Sequence, residues 1–183
     1  MSKKILVIPG HGAGDSGACG GGKTEAAMVR QLAARMKAWG GSNVKRTSYK
    51  RNYYADNGIG RLSGGACPPS KWLIVELHMD SGGGKGGHVI QYSEKTTAGK
   101  KVASAVAKLL PGRADKHVLR SDLANPKRAS AKGYEYMLVE NGFIDNSHDR
   151  EWVESNMDEL AKAILKACGV EPRAKAKKVK CPW

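Results

Sequence analysis

The sequence has few aromatic residues and no long apolar run. Only one of its 183 residues is phenylalanine, and aromatic residues make up 6% of the chain. Few side chains are therefore available to stack on the bases of a nucleic acid. No apolar run approaches the ~20 residues that a membrane-spanning helix needs. The chain also lacks an RNP, zinc-finger or helix-turn-helix signature. We therefore expect neither a nucleic-acid-binding protein nor a membrane span.

The N-terminal residues do not predict a secretory signal peptide. Its apolar run, Ile5–Ile8, is shorter than the roughly 7–15 apolar residues of such a signal. The four cysteines contain no C-x-x-C pair, which favours free thiols in a reducing compartment. We expect synthesis in the cytoplasm, with any export depending on another factor.

Charge is the strongest compositional feature. The formal net charge is +14, which attracts polyanions such as nucleic acid, anionic lipid or the anionic polymers of a bacterial wall. The segment 171–183 is basic and unpatterned, so we predict a tail or the start of a linker there. Residues 1–170 are predicted to form one domain, which their length and the 40% of apolar residues in the chain can support.

Apolar runs alternate between strand and helix patterns along the chain. Strands are predicted at 4–8, 44–49, 72–77, 89–92 and 136–139, and helices at 24–40, 97–110 and 149–168. Strands that alternate with helices indicate an α/β fold. We predict a single domain with a mostly parallel, twisted sheet flanked by helices.

Polar residues stand where three of these strands end. His11 follows the first strand, His78 the strand at 72–77, and Glu140 the strand at 136–139. Glu25 lies four residues before Val29, on the apolar face of the first helix, where an unpaired carboxylate is costly. Ligands bind beyond the carboxyl ends of strands in open α/β sheets, so we expect these four side chains to meet.

Two histidines and a carboxylate form a common catalytic zinc set that leaves one position open for water. A further carboxylate, Glu140, is the candidate acid/base. Each residue also has an ordinary explanation: a hydrogen-bonded histidine, an acid favoured by the helix dipole, or a salt-bridge partner. His88 and His117 are predicted as further substrate contacts.

Four segments carry a resemblance to a known family. Ile8-Pro-Gly-His-Gly12, Glu25-Ala-Ala, Glu76-Leu-His-Met79 and Leu138-Val-Glu-Asn-Gly-Phe-Ile-Asp-Asn146 resemble the zinc-dependent N-acetylmuramoyl-L-alanine amidases of type 3, which include phage endolysins and bacterial autolysins. The resemblance spans residues 3–168. It implies an enzyme that hydrolyses the amide bond between N-acetylmuramic acid and L-alanine of peptidoglycan.

The resemblance also assigns roles to single residues. It implies that His11, Glu25 and His78 bind Zn²⁺ and that Glu140 is the catalytic acid/base. The family usually has Ser-Ile-His-Ala-Asn around its third ligand, whereas this chain has Glu76-Leu-His-Met-Asp80. A phage endolysin, released by a partner pore and acting on the wall from inside, would fit the missing signal peptide.

Three alternatives remain open on the sequence alone. Gly17–Thr24 satisfies the phosphate-loop pattern G-x-x-x-x-G-K-[ST], although about eight residues separate it from the first strand. A non-catalytic module that binds wall polymers would also explain the charge. Another zinc hydrolase, such as a peptidase, would use the same donor set.

Overall fold

A six-stranded sheet forms the centre of the molecule in the computed structural model, which describes residues 4–176. The strands are β1 (Lys4–Pro9), β2 (Cys19–Gly20), β3 (Lys23–Thr24), β4 (Val44–Arg46), β5 (Trp72–Asp80), β6 (His88–Gln91), β7 (His117–Leu119) and β8 (Glu135–Phe143). The sheet order is β4-β1-β5-β8-β6-β7, and β2 and β3 form a separate hairpin. Strands β4, β1, β5 and β8 are mutually parallel, whereas β6 runs antiparallel to β8 and parallel to β7. The predicted α/β fold with a mostly parallel sheet is confirmed.

Helices cover both faces of the sheet. They are α1 (Glu25–Gly40), α2 (Thr97–Leu109), α3 (Ala124–Ala131), α4 (Ser147–Ser155) and α5 (Met157–Ala167). Helices α1, α2 and α5 enclose the larger apolar core on one face, and α3 and the segment before β5 enclose a smaller one on the other. Because successive strand residues point to opposite faces, Val75 and Leu77 face the larger core, whereas Ile74 faces the smaller one.

Helix α1 begins where the sequence predicted. The side chain of Thr24 accepts a hydrogen bond from the backbone N–H of Ala27 and caps the helix. Glu25, the first helical residue, is 3% exposed, so the expected inward direction of its side chain is confirmed.

Other boundaries differ from the prediction. Strands β5 and β8 continue past His78 and Glu140, with a register irregularity between His78 and Asp80, so both functional candidates lie within strands and not after them. The single helix predicted at 149–168 is two helices separated at Asn156. The backbone of Asn156 departs from helical geometry, with φ of −124° and ψ of 26°, and its side chain donates to the carbonyl oxygen of Trp152.

The end of the described chain still contacts the domain. The backbone N–H of Arg173 donates to the carbonyl oxygen of Trp39 at 2.9 Å, beyond the predicted boundary at residue 170. Residues 177–183 of the predicted tail lie outside the described residues. That boundary, and the role of the tail, stay predictions.

Cys19, Cys67 and Cys168 are free thiols, as expected, and Cys67 and Cys168 are buried; Cys181 lies outside the described residues. Between residues 4 and 176, no helix has the length and apolarity that crossing a membrane requires.

Candidate metal centre

His11, Glu25 and His78 meet at the point where the strand order reverses. Strand β1 is followed through α1 by β4 on one side, and β5 lies on its other side. Where the connections from two adjacent parallel strands lead to opposite sides, a crevice forms outside their carboxyl ends. This crevice is the usual ligand site of such sheets. His11 follows β1, Glu25 begins α1, and His78 lies near the end of β5.

The three side chains converge on one point. Oε1 of Glu25 lies 3.0 Å from Nε2 of His11 and 2.8 Å from Nδ1 of His78. One donor atom from each residue lies within 4.8 Å of the other two. The predicted set is thus brought together, and its donors fit a zinc ion, which prefers histidine nitrogen and carboxylate oxygen.

Glu25 is held firmly in this position. Its Oε1 accepts a hydrogen bond from the backbone N–H of Met79, and its Oε2 accepts one from Ala18. Burial alone would raise the pKa of Glu25, but the hydrogen bonds to His11 and His78 outweigh it and hold the pKa well below the usual range. The carboxylate is therefore ionised and able to bind a cation.

Close backbone approach explains two of the glycines beside the trio. A Cβ at Gly10 would lie 2.4 Å from Cε1 of His78, and a Cβ at Gly17 would lie 2.7 Å from Oε2 of Glu25. His11 itself has a φ of 57°, a left-handed conformation that is uncommon outside glycine and concentrates at functional sites. Arg30 of α1 stabilises this turn by donating to the carbonyl oxygen of His11 at 2.9 Å.

Both histidines contact a second carboxylate through their other ring nitrogen. Nδ1 of His11 lies 2.9 Å from Oδ2 of Asp15, and Nε2 of His78 lies 3.2 Å from Oε1 of Glu76. Burial alone would lower the pKa of His78, but the hydrogen bonds to Glu25 and Glu76 raise it well above its usual value. The pKa of His11 is raised too, because its carboxylate partners, with Glu25 foremost, outweigh burial.

Glu140 lies beside this trio on the neighbouring strand. It pairs with His78 in the β5–β8 register, so both side chains point to the same face of the sheet. Its Oε2 is buried and has no hydrogen-bond partner among residues 4–176. Burial raises the pKa of Glu140 to about 7, a value suited to a group that accepts and returns a proton near neutral pH.

An open cavity of about 390 Å³ surrounds these residues. The trio and Glu140 contribute to its lining, together with Tyr53, Tyr54, Arg120 and Asn125 from the loops and the helix above the smaller core. Aliphatic side chains such as Ile90, Leu123 and Leu138 complete its walls, and the candidate acid/base lines it as well.

His88 and His117 lie outside the residues that line this cavity. His88 is 2% exposed and pairs with Glu140 in the β6–β8 register. Its burial, with the nearby charge of Arg113, lowers its pKa to about 4. Nε2 of His117 lies 3.0 Å from Oε1 of Gln91. Substrate contact by either histidine stays a prediction.

The segment with the phosphate-loop pattern folds as a hairpin. Strands β2 and β3 flank the turn residues Gly21 and Gly22, which have φ values of 55° and 73°; two successive positive φ values are typical of a tight hairpin turn. Nζ of Lys23 lies 2.6 Å from Oε1 of Glu154. The lysine that a phosphate loop would use is therefore engaged in an ion pair on the surface.

Sequence reasoning missed the residues that support the trio. Asp15, Glu76 and Asn125 lie within polar segments or inside an apolar strand run. One signal was available: Glu76 and His78 are two residues apart in a strand, so they share a face. The contacts of Asp15 and Asn125 depend on loop geometry that no periodicity reveals.

Known proteins resemble this chain in sequence and in fold. The sequence profile described as N-acetylmuramoyl-L-alanine amidase matches residues 5–169. The chain belongs to the N-acetylmuramoyl-L-alanine amidase family. The "Probable autolysin PH" of Staphylococcus aureus is 30% identical over 189 residues, and the match covers 93% of this chain and 39% of that protein. The amidase CwlM of Bacillus licheniformis is 27% identical over 166 residues, with 84% and 61% covered.

This chain therefore spans about two fifths of the first of these relatives and about three fifths of the second. Solved structures share its fold. The catalytic domain of the CD27L endolysin targeting Clostridia difficile superposes with a TM-score of 0.72 at 19% identity, covering 93% of this chain and 98% of that one. The amidase Ami1 from Mycobacterium smegmatis has a TM-score of 0.69 at 17% identity, with 92% and 96% covered.

Proposed function

We propose that this protein is a zinc-dependent amidase that hydrolyses the bond between N-acetylmuramic acid and the L-alanine of the stem peptide in peptidoglycan. The observation that carries the proposal is the convergence of His11, Glu25 and His78 beside Glu140. The donor atoms of the three residues lie within 4.8 Å of one another, and the adjacent Glu140 has a buried oxygen with no hydrogen-bond partner in the described part of the chain. Membership of the amidase family supplies the substrate class.

His11, Glu25 and His78 would hold the zinc ion, through Nε2, a carboxylate oxygen and Nδ1 respectively. When bound in such a set, zinc polarises a carbonyl group and lowers the pKa of water to around 7. The charges agree with this assignment, because the ionised Glu25 compensates part of the charge of a divalent cation.

Glu140 performs the proton transfers. Its carboxylate, which lines the cavity, accepts a proton from the attacking water and then returns that proton to the amide nitrogen as the bond to L-alanine breaks. Burial raises the pKa of Glu140 in the metal-free protein to about 7, and such an upward shift suits a group that must be a base first and an acid afterwards. The lactyl carbonyl of the sugar is the electrophile, so the products are a lactyl carboxylate and a free alanine amine.

The charge of the chain suits a cell-wall substrate. A net charge of +14 favours adsorption on anionic wall polymers, which are the partners that we propose besides peptidoglycan. Relatives include a protein named as an autolysin and two named as amidases. Synthesis in the cytoplasm followed by release to the wall, as in phage-induced lysis, stays a prediction.

A peptidase with the same metal set is the competing proposal, and product analysis separates the two. Purified peptidoglycan is digested, and new amino termini are identified by labelling and mass spectrometry. We expect new termini on L-alanine alone, with intact stem peptides released from intact glycan strands. Glu140→Gln protein is the control for contaminating hydrolases. New termini within the stem peptide or cross-bridge would contradict the amidase proposal.

A further inference from the structure

Glu76 is a buried carboxylate that the proposed reaction does not use. It lies in the middle of β5, is 3% exposed, and stands two residues before His78 on the same face of the strand. A charged side chain in such a place is costly unless it is well paired. Its contacts therefore indicate why it is there.

Four contacts surround the carboxylate. Nδ2 of Asn125 donates to both oxygens, at 3.0 and 3.1 Å, and the hydroxyl of Tyr136 donates to Oε2 at 2.7 Å. Oε1 also faces Nε2 of His78 at 3.2 Å. The donors come from α3, β8 and β5, so the carboxylate is fixed from three directions. Asn125 is itself held, since Nη1 of Arg128 donates to its Oδ1 at 3.0 Å.

The two nitrogens of His78 face different carboxylates. Nδ1 points to Glu25 at 2.8 Å, where the metal donors converge, and Nε2 points to Glu76. A neutral imidazole carries one proton, so a nitrogen that binds a metal leaves the proton on the other one. Because Glu76 can only accept when ionised, its contact requires the proton on Nε2. Glu76 also lies at the opposite side of the ring from Nδ1, so it does not share a metal ion with that nitrogen.

Resting on the proposed function, we propose that Glu76 is a positioning residue for the metal centre. It holds His78 in the tautomer protonated on Nε2 and fixes the ring so that Nδ1 faces the metal, while Asn125 and Tyr136 orient Glu76. Carboxylates that accept from the second nitrogen of a metal-binding histidine orient the ring and raise its basicity, and their loss typically weakens metal affinity 10–100-fold.

The corresponding contact of His11 is more exposed. Oδ2 of Asp15 lies 2.9 Å from Nδ1 of His11, but the Asp15 side chain is 43% exposed, against 4% for Glu76. Water therefore competes for this contact far more at Asp15 than at Glu76. The buried contact is therefore the one expected to dominate the orientation of a ligand.

The test is the zinc affinity of Glu76→Gln protein, measured by competition with a chromogenic chelator. Glutamine keeps the size of the side chain and removes the charge. We expect affinity at least tenfold weaker than in the parent. The matched control is Asp149→Asn, because Asp149 is also a buried carboxylate but accepts from the backbone of Gly86 and Phe143. It should lower the melting temperature and leave zinc affinity within twofold.

A second variant and a spectroscopic signature keep the test decisive if Glu76→Gln fails to fold. Tyr136→Phe removes one donor to Glu76 and should weaken zinc binding about threefold or more. In ¹⁵N–¹H correlation spectra of the zinc-loaded parent, the His78 ring should carry its proton on Nε2. Parent-like zinc affinity in the folded variants, or a proton on Nδ1, overturns the positioning role. Failure of the parent to bind zinc would instead refute the proposed function as well.

Discussion

Oε1 of Glu25 lies 2.8 Å from Nδ1 of His78, although 53 positions separate these residues in the chain. The first residue of a helix and a residue near the end of a strand meet there because α1 follows β1 and β1 pairs with β5. Nothing in the packing of the core requires a carboxylate and an imidazole at this place. The contact is therefore best explained by a function, and the predictions below test that function.

Gly10→Ala should damage the metal centre without unfolding the protein. The added methyl group would lie 2.4 Å from Cε1 of His78, so the ring must rotate away from Glu25. We expect zinc affinity, measured by chelator competition, to fall at least tenfold. The control is Gly64→Ala, where a Cβ meets no atom within 4 Å. Equal zinc affinity in the two variants would show that the ring of His78 is not a ligand.

Glu140→Gln should separate chemistry from metal binding. Glutamine preserves the shape of the side chain but cannot accept a proton from water. Turnover of soluble muropeptides should fall by roughly 10²–10⁴-fold, as is typical when a general acid–base group is lost, while zinc content stays at the parental value. Turnover within a few fold of the parent would rule out the proton-transfer role of Glu140.

The same substitution should stabilise the metal-free protein, and more so as the pH rises. Burial raises the pKa of Glu140 from 4.5 to about 7, so the unfolded chain releases this proton at lower pH than the folded one. The contribution of Glu140 to the free energy of unfolding therefore falls as the pH rises from 4.5 to 7. Each pKa unit corresponds to about 1.4 kcal/mol. The shift of the Glu140 pKa should therefore lower the free energy of unfolding of the metal-free parent by up to roughly 3 kcal/mol at pH 8.

Thermal or denaturant unfolding of metal-free parent and Glu140→Gln at pH 5 and pH 8 measures this effect. The variant should be distinctly more stable at pH 8, and the difference should shrink at pH 5. A difference that is the same at both pH values would show that the carboxyl group does not titrate as described.

Much of the site follows from the sequence because strand ends and helix faces are periodic features. Runs such as Ile5–Ile8 predict buried parallel strands, and the residues after such strands meet at one edge. The direction of Glu25 follows from the apolar stripe of its helix. These rules are enough to predict that His11, Glu25, His78 and Glu140 lie close together.

The rest depends on contacts that periodicity does not encode. Helix α3 is short and contains Pro126 in its first turn, so its sequence lacks an amphipathic pattern; yet it carries Asn125 to Glu76. The three-residue strand β7 is recognisable only through its pairing with β6. The break between α4 and α5 lies at Asn156, where φ is −124° and ψ is 26°, and the apolar spacing from Val153 to Met157 and Leu160 does not reveal it. Local propensity does not determine such features.

The basic segment at the end of the chain should strengthen binding to the wall. Truncation after residue 176 removes Lys177, Lys178 and Lys180 and lowers the net charge from +14 to +11, while it keeps the contact of Arg173 with Trp39. Electrostatic attraction is screened over about 8 Å at physiological salt. We expect weaker co-sedimentation with purified walls at low salt and unchanged turnover of small muropeptides. If the parent and the truncated protein sediment equally with walls at every salt concentration, these lysines do not contribute to wall binding.

Zinc titration of the chelated protein, followed by release of L-alanine amino groups from a soluble muropeptide, tests the metal centre most directly. Activity should be absent without metal, rise linearly, and level off at one zinc ion per protein. The variants His11→Ala and His78→Ala should neither bind zinc tightly nor recover activity when zinc is added, because two remaining ligands hold the metal poorly. His148→Ala, with a side chain that is 75% exposed, should follow the parent. Full activity in the chelated parent, or full zinc occupancy in both ligand variants, would contradict the proposed metal centre.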